Sequence, residues 1–191
     1  MTEYLGAKGL SKYDQFCFHR WLAMDLNGEG GWLCDYDTFP LNVQVEDGLT
    51  LPNAGKFTSF EAHVPSLLSG SPDEWRKLTQ ALLNESKRYV GEKKLSDMWM
   101  LSQLIDRGVI DGSQALVWNG YPLSSPDTII CRLLQDKKAI HFSHSQSHFA
   151  VQNGLLPNVP AGMHAQTRGI TSRQILTLWR SQCLDHIHEI K

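Results

Sequence analysis

Hydrophobic side chains recur every three or four residues in four long stretches of the chain. That spacing keeps them on one face of an α-helix, because a helix completes a turn in about 3.6 residues. The pattern therefore predicts helices at residues 13–26, 73–89, 98–107 and 171–190. Pro126 follows Ser125 and suits the first turn of a helix, which predicts a further helix at 125–134.

Short, largely apolar runs between these helices predict strands. They lie at residues 31–34, 115–118 and 139–142, bounded by glycine or polar residues as buried strands usually are. Apolar and polar residues alternate from 41 to 45, which predicts another strand. Helices and strands mixed in this way indicate the α/β class, with a mixed sheet flanked by helices in a single domain over residues 1–191.

Two carboxylates follow the first of these runs. A turn at Gly30 and Gly31 leads into the strand, and Asp35 and Asp37 follow its end. Alternate side chains of a strand share a face, so both aspartates are expected to point the same way, into solvent. Neighbouring carboxylates repel each other unless a cation lies between them, and a divalent cation with oxygen ligands meets that need. The alternative is an ordinary solvent-exposed Asp-x-Asp turn.

Three histidines stand at or just after the strand predicted at 139–142. They are His141, His144 and His148. If this strand end lies beside Asp35 and Asp37, a cation gains two carboxylates and an imidazole, a ligand set that suits Mn²⁺ or, with carboxylates dominant, Mg²⁺. His141 is preferred to His144 because it lies within the apolar strand. The alternative is that these histidines are structural.

Two other charged residues have simple structural explanations. Arg20 lies within the first predicted helix, where an exposed cation needs no special role. Asp97 precedes the helix predicted at 98–107, and aspartate at that position commonly caps a helix.

Composition narrows the class of protein without identifying it. A net charge of −2 over 191 residues gives no reason to expect a nucleic-acid partner. No apolar run reaches the roughly 18 residues that a membrane span needs, and the N-terminus lacks the features of a signal peptide, so a cytoplasmic location is predicted, with a secretory-pathway origin as the alternative if the N-terminus is missing. The four cysteines are widely scattered and are expected to be free thiols in a reducing compartment: Cys17, Cys34, Cys131 and Cys183.

Together these motifs resemble the core of the GT-A type glycosyltransferases, which use nucleotide-diphosphate sugars. In that family a helix arginine, a Gly-Gly-aromatic turn and an Asp-x-Asp strand end follow one another, as they do here in Arg20, Gly30, Gly31, Trp32, Asp35 and Asp37. Farther along, Ile140, His141 and Phe142 resemble the strand whose histidine completes the family's metal site. The resemblance covers roughly residues 13–45 and 90–150.

The resemblance implies a role for each matching residue. Asp35, Asp37 and His141 would bind Mn²⁺ or Mg²⁺, while Arg20, Gly31 and Asp35 would contact the nucleotide-sugar donor. Asp97 would be the catalytic or acceptor-orienting residue. The implied fold is GT-A-like and shortened at its N-terminus, because only 34 residues precede Asp35. The implied partners are a nucleotide-sugar donor and an unknown acceptor.

Two other functions compete with this interpretation. The chain could be an inactive glycosyltransferase-like fragment or a binding domain. It could also be a phosphatase of the haloacid dehalogenase type, in which the first aspartate of Asp-x-Asp is a nucleophile and the second a general acid. Against the phosphatase, Phe39 stands where that family has threonine or valine, and no later acidic pair for magnesium occurs.

Overall fold

The computed structural model of the chain describes residues 10–89, 95–110, 114–156 and 164–184, with the side chains of the last range described from residue 168 onward. It contains both helices and small sheets, which confirms the mixed α/β class. The chain forms two compact units. The first unit comprises Met1–Asp35 and Gln44–Ala115, and the second comprises Tyr36–Val43 and Leu116–Lys191.

The first unit combines helices with a three-stranded antiparallel sheet. Its elements are α1 (Lys12–Asn27), β1 (Gly31–Cys34), α2 (Val45–Leu49), a 3₁₀ turn (Asn53–Gly55), β3 (Thr58–Ser59), β4 (Leu67–Gly70), α3 (Pro72–Arg88) and α4 (Asp97–Asp106). Strand β4 lies between β1 and β3. Helices α1 and α3 pack together, and α4 packs on both of them.

Local sequence explains where the main helices of this unit begin and end. Ser11 caps α1 by accepting a hydrogen bond from the backbone N–H of Asp14 at 3.1 Å, and Gly28 ends the helix with a left-handed φ of 71°. Helix α3 begins with Pro72, which suits a position that needs no backbone donor. The helices predicted at 13–26, 73–89 and 98–107 are thus confirmed to within a residue at each end.

A cluster of aromatic side chains forms the core of the first unit. Trp21 of α1 contacts both Phe57 and Trp75, with ring centroids 6.3 and 5.8 Å away. All three are at most 3% exposed, and Leu68 and Leu101 are fully buried beside them. Large buried rings contribute most of the hydrophobic stabilisation available to a unit of this size.

The second unit has its own sheet, hairpin and helices. Its elements are β2 (Thr38–Pro40), β5 (Val117–Asn119), β6 (Leu123–Ser125), β7 (Thr128–Ile129), a 3₁₀ turn (Cys131–Leu133), β8 (Ala139–His141), α5 (His144–Gln152) and α6 (His164–Gln182). Strand β8 is central: it pairs antiparallel with β2 and parallel with β5. Its core includes Ile140, Phe142 and Trp179.

Several predicted elements of the second unit are wrong. Residues 41–44 form no strand, and a short helix begins at Val45. The segment predicted as a helix at 125–134 is mainly the β6–β7 hairpin, because Pro126 lies in the turn and the β-branched residues after it favour a strand. Helix α6 begins at His164, seven residues before the prediction, and the predicted end at residue 190 lies outside the described residues.

A disulfide overturns the expectation that all four cysteines are free thiols. Cys131 and Cys183 are bonded, with Cα atoms 5.4 Å apart, and they join the segment after the hairpin to the end of α6. The prediction failed because 52 residues separate the two cysteines, so no local pattern connects them. Cys17 and Cys34 remain thiols.

Among the residues that the structure describes, no helix is both long and apolar enough to cross a membrane.

Candidate functional site

The chain passes from the first unit to the second within the Asp-x-Asp motif, between Asp35 and Tyr36. Strand β1 ends at Cys34, residues 36 and 37 form a turn, and β2 begins at Thr38. Asp35 and Asp37 therefore do not alternate along one strand, contrary to the sequence analysis. The physical reason is that the chain leaves the sheet of the first unit here: the N–H of Asp35 still donates to the carbonyl of Ser66 at 2.8 Å, whereas β2 pairs with β8.

Asp35 belongs to an ion-pair network centred on Arg20 in the first unit. The guanidinium of Arg20 lies 3.3 Å from Asp35 Oδ2 and 2.5 Å from Asp97 Oδ2. Only 20% of the Arg20 side chain and 5% of the Asp97 side chain is exposed. Arg20 is therefore not the exposed cation of the simple structural explanation. Burial opposes its charge, but the Asp97 and Asp35 carboxylates outweigh that effect and raise the pKa of Arg20.

Asp97 is surrounded by hydrogen-bond donors. Its Oδ2 accepts bonds from Arg20 Nε and from Trp21 Nε1 at 3.1 and 3.0 Å, in addition to the ion pair, and its Oδ1 accepts from the N–H of Met98 at 2.8 Å. The cap of α4 is Ser96, which accepts from the N–H of Trp99, so Asp97 is the first residue of the helix rather than its cap. This geometry favours a structural role, and the catalytic role of Asp97 stays a prediction.

Backbone geometry explains both Gly30, which precedes β1, and Gly31, its first residue. Gly30 has a φ of 74°, and a Cβ there would lie 2.8 Å from the carbonyl oxygen of Gly70. Gly31 has a φ of 122°, and its carbonyl accepts a bond from Trp75 Nε1 at 3.2 Å. A donor contact at Gly31 stays a prediction.

Asp37 meets His141 in the second unit. In the β2–β8 register Thr38 lies opposite His141, and the N–H of Phe142 donates to the carbonyl of Asp37 at 2.9 Å. This places Asp37 Oδ1 3.4 Å from His141 Nε2. The strand that pairs with the histidine strand is thus the one after Asp-x-Asp, not the one before it.

Asp37 is buried, not the solvent-facing carboxylate that the sequence analysis expected. Only 9% of its side chain is exposed. Its Oδ2 lies 2.7 Å from Nη1 of Arg168, but its Oδ1 accepts no hydrogen bond from any residue within the described ranges. A buried carboxylate oxygen without a donor is costly, since it has lost its hydration and received nothing in exchange. Such an atom in a folded protein needs an explanation, and a bound water, an ion or a ligand would each supply one.

Arg168 completes this cluster and was missed by the sequence analysis. It lies near the start of α6, before the helix predicted at 171–190 begins. Its Nη2 donates to the hydroxyl of Tyr36, and its Cζ lies 5.3 Å from the centre of the Tyr36 ring. Arg168 and Asp37 are 131 residues apart in sequence, so no local spacing connects them.

Polar groups continue from this cluster along the ends of the parallel strands. Asn119 lies opposite His141 in the β5–β8 register, and its Oδ1 accepts from Ser143 Oγ at 2.7 Å. Ser147 Oγ donates to the carbonyl of Ser143 at 3.0 Å and lies 2.6 Å from the hydroxyl of Tyr121. Burial raises the pKa of Tyr121, and its hydrogen bond with Ser147 acts in the opposite direction.

Helix α5 begins beside these polar groups. Ser143 is its N-terminal flanking residue, and His144 is its first residue. The N–H groups of the first turn of a helix have no partner within the helix and carry partial positive charge. The second unit therefore combines a buried carboxylate, an imidazole, a guanidinium and a helix N-terminus.

The predicted metal ligands do not form one cluster of three. Across the part of the chain that the structure describes, no group of three or more histidine, cysteine, aspartate or glutamate side chains is placed to hold a metal ion. The geometry instead pairs Asp37 with His141 and pairs Asp35 with Arg20. A cavity of about 440 Å³ in the first unit, lined by Lys56, Glu74, Lys77 and apolar residues, includes none of the predicted site residues.

Comparison of the chain with protein-family models, with curated proteins and with solved structures gives no match.

Proposed function

We propose that this chain is a metal-dependent glycosyltransferase that moves a sugar from a nucleotide-diphosphate donor to an acceptor, with Mn²⁺ or Mg²⁺ held by Asp37 and His141. One observation carries the proposal: buried Asp37 Oδ1 lies 3.4 Å from His141 Nε2 and has no hydrogen-bond donor within the described ranges. The resemblance of the sequence motifs to the GT-A type family supports the choice of reaction.

The two side chains fit a cation that takes its other ligands from a substrate. Magnesium is commonly bound by one or two carboxylates together with substrate phosphates, at about 2.0–2.1 Å from each oxygen. Two atoms 3.4 Å apart can both reach a cation at such distances. An imidazole beside a carboxylate favours Mn²⁺ over Mg²⁺. When bound, the cation supplies positive charge opposite the diphosphate leaving group.

The surroundings of Asp37 and His141 favour an anionic ligand. Both β5 and β8 end at this cluster, and ligands of open parallel sheets bind outside the carboxyl ends of the strands. The first turn of α5 follows β8 after two residues, and helix N-termini bind phosphate through their free N–H groups. Ser143 and Asn119 hold each other through a hydrogen bond of 2.7 Å, which fixes the start of that turn.

The remaining predicted residues have contacts that suit a supporting role. Arg20 is held by Asp35 and Asp97 within the first unit, and Asp97 has donors on both oxygens. Donor binding by Arg20, Asp35 and Gly31 stays a prediction.

The proposal is tested by replacing Asp37 with asparagine, which keeps the shape of the side chain and removes its charge. We expect the wild-type chain to bind Mn²⁺ saturably in calorimetry and the Asp37→Asn variant to lose at least about 100-fold in affinity, because replacing even an outer-shell partner of a metal costs about 10–100-fold. Asp127→Asn is the matched control, since Asp127 is exposed in the β6–β7 turn of the same unit.

Activity is then measured as Mn²⁺-dependent hydrolysis of uridine- and guanosine-diphosphate sugars. We expect turnover in the wild type and the Asp127→Asn control, and none in Asp37→Asn. A wild-type chain that binds neither Mn²⁺ nor a nucleoside diphosphate would overturn the proposal in favour of an inactive fragment. Turnover of p-nitrophenyl phosphate would favour the phosphatase instead.

A further inference from the structure

Arg168 already balances the charge of the carboxylate that the proposed cation would use. Its Nη1 lies 2.7 Å from Asp37 Oδ2, while Asp37 Oδ1 faces His141 Nε2. Both side chains are largely buried, with 14% of Arg168 and 9% of Asp37 exposed. In such surroundings charges are weakly screened, so a divalent cation at Oδ1 and the guanidinium at Oδ2 repel each other.

The Nε donor of the same guanidinium is available for a ligand. Arg168 Nε is buried and donates to no acceptor among the residues that the structure describes. Nη2 donates to the hydroxyl of Tyr36, a residue that is 71% exposed. A phosphate would engage Nε together with Nη2, which would exchange the Tyr36 hydroxyl for a phosphate oxygen, because guanidinium groups bind phosphate through two parallel N–H donors.

Resting on the function proposed above, we propose that Arg168 couples the binding of the cation to the binding of an anionic diphosphate. Without the anion, Arg168 opposes the cation because both are positive and share Asp37. When the anion is bound, its negative charge lies between the cation and Arg168 and removes their repulsion. Its oxygens also accept a hydrogen bond from Arg168 Nε. Arg168 is therefore a positioning residue that makes cation and diphosphate bind together rather than separately.

This coupling predicts two changes in Mn²⁺ affinity. Removing the charge of Arg168 should strengthen the binding of Mn²⁺ alone, and it should abolish the gain in Mn²⁺ affinity that the anion brings. Reciprocal coupling of this kind commonly changes affinity by about 5- to 150-fold. A residue that only supports the fold would weaken both measurements when replaced.

The test measures Mn²⁺ binding from the electron paramagnetic resonance signal of the free ion, with and without inorganic pyrophosphate. Binding of Mn²⁺ by pyrophosphate itself is measured without protein and subtracted. We expect pyrophosphate to raise the Mn²⁺ affinity of the wild type at least about fivefold. In Arg168→Gln we expect Mn²⁺ alone to bind at least about fivefold more tightly than in the wild type, with no further gain from pyrophosphate.

Two variants control for charge and for folding. Arg173→Gln removes an exposed arginine from the same helix and should behave as the wild type. Arg168→Lys keeps the positive charge and should still oppose Mn²⁺, while losing most of the gain from pyrophosphate because an ammonium lacks the planar pair of donors. Tyr36→Phe removes only the hydroxyl that accepts from Arg168 Nη2. We expect a rise in Mn²⁺ affinity that is smaller than in Arg168→Gln. This variant provides the test if Arg168→Gln folds poorly.

The outcomes separate this inference from the proposed function. If Asp37→Asn loses Mn²⁺ but Arg168→Gln binds Mn²⁺ no more tightly than the wild type, or keeps the gain from pyrophosphate, the coupling role is overturned and the metal site stands. If the wild type binds no Mn²⁺ at all, the proposed function fails and the coupling role fails with it.

Discussion

Each unit contains a buried ion pair between an arginine and an aspartate, but the two pairs differ in the hydrogen bonds that surround them. In the first unit, Asp97 receives donors on both oxygens from Arg20, Trp21 and the backbone of Met98. In the second unit, Asp37 Oδ1 and Arg168 Nε have no hydrogen-bond partner within the described part of the chain.

The difference in hydrogen bonding indicates a different role for each pair. A buried ion pair with every group satisfied stabilises one arrangement of the elements that contribute it. A buried pair with an unsatisfied atom on each side loses hydrogen-bond energy unless a ligand restores it. By this criterion the Arg20–Asp97 pair suits a structural role and the Arg168–Asp37 pair is the candidate for ligand binding, although the sequence motif contributes one aspartate to each unit.

The largest effect should follow from breaking the satisfied pair. Replacing Asp97 with alanine leaves the charge of Arg20 and the N–H of Trp21 in a buried setting without their partner. We expect the free energy of unfolding to fall by about 3–5 kcal/mol, as it does when one partner of a buried ion pair is removed. Urea denaturation measures this change in the free energy of unfolding. The control is Asp106→Ala, an exposed aspartate on the same helix, which should change stability by less than about 0.5 kcal/mol.

A stability loss below about 1 kcal/mol in Asp97→Ala would contradict the structural role. Together with a fall in sugar-transfer activity of about 10²–10⁴-fold, it would support the catalytic role that the sequence resemblance implied for Asp97.

The helices could be predicted because their signals are local. The spacing of apolar residues, the cap at Ser11 and the break at Gly28 lie within one segment, so α1 follows from its own residues. Ser125, Pro126 and Asp127 suit both a helix start and a hairpin turn, and here pairing between β6 and β7 decides the outcome. Local propensity is too weak to overrule such contacts.

The candidate site could be predicted only in part, because its contacts are long-range. Asp37 and His141 were singled out by motif resemblance, and the β2–β8 register brings them together. Arg168 carries no motif, and its contact with Asp37 spans 131 residues. Asp35 and Asp37 are separated because β1 pairs with β4 while β2 pairs with β8. An alternation of apolar and polar residues does not predict the partner of a strand.

A second effect should follow from cutting the disulfide of the second unit. In Cys183→Ser we expect the free energy of unfolding to fall by about 2–4 kcal/mol, because the bond restricts the unfolded chain over a 52-residue separation. Cys34→Ser, which removes an exposed thiol of the first unit, should change stability little. Hydrogen exchange should show the loss in β5 and β8 rather than in α1 and α3, and equal losses in both units would contradict the comparison.

The disulfide also bears on where the protein acts. Disulfides persist in oxidising compartments and are rare in the cytosol, so the bond between Cys131 and Cys183 weighs against the predicted cytoplasmic location. That location stays a prediction. Alkylation of thiols before and after reduction, followed by mass spectrometry of protein from its native source, measures whether the bond is present.

The smallest effect concerns Glu74, another carboxylate of the first unit with donors on both oxygens. Its Oε1 accepts from Lys77 Nζ at 2.8 Å and its Oε2 from the N–H of Phe57 at 3.1 Å. These bonds, with that from Lys77 the larger influence, lower the pKa of Glu74. A carboxylate with a lowered pKa in the folded state stabilises the protein above the unfolded-state pKa of about 4.3, and loses that contribution as the pH falls through the folded-state value.

We therefore expect Glu74→Gln to be less stable than the wild type by about 0.2–1 kcal/mol at pH 7, because the group is partly exposed and its ion pair is screened. The deficit should shrink as the pH falls below about 4. Asp73→Asn is the matched control: Asp73 precedes Glu74 in the first turn of α3, so both replacements remove one charge near the helix N-terminus, but the Asp73 side chain is 78% exposed. Urea denaturation at a series of pH values measures both variants. A deficit in Glu74→Gln that stays constant into acid would show that shape, not charge, is what Glu74 contributes.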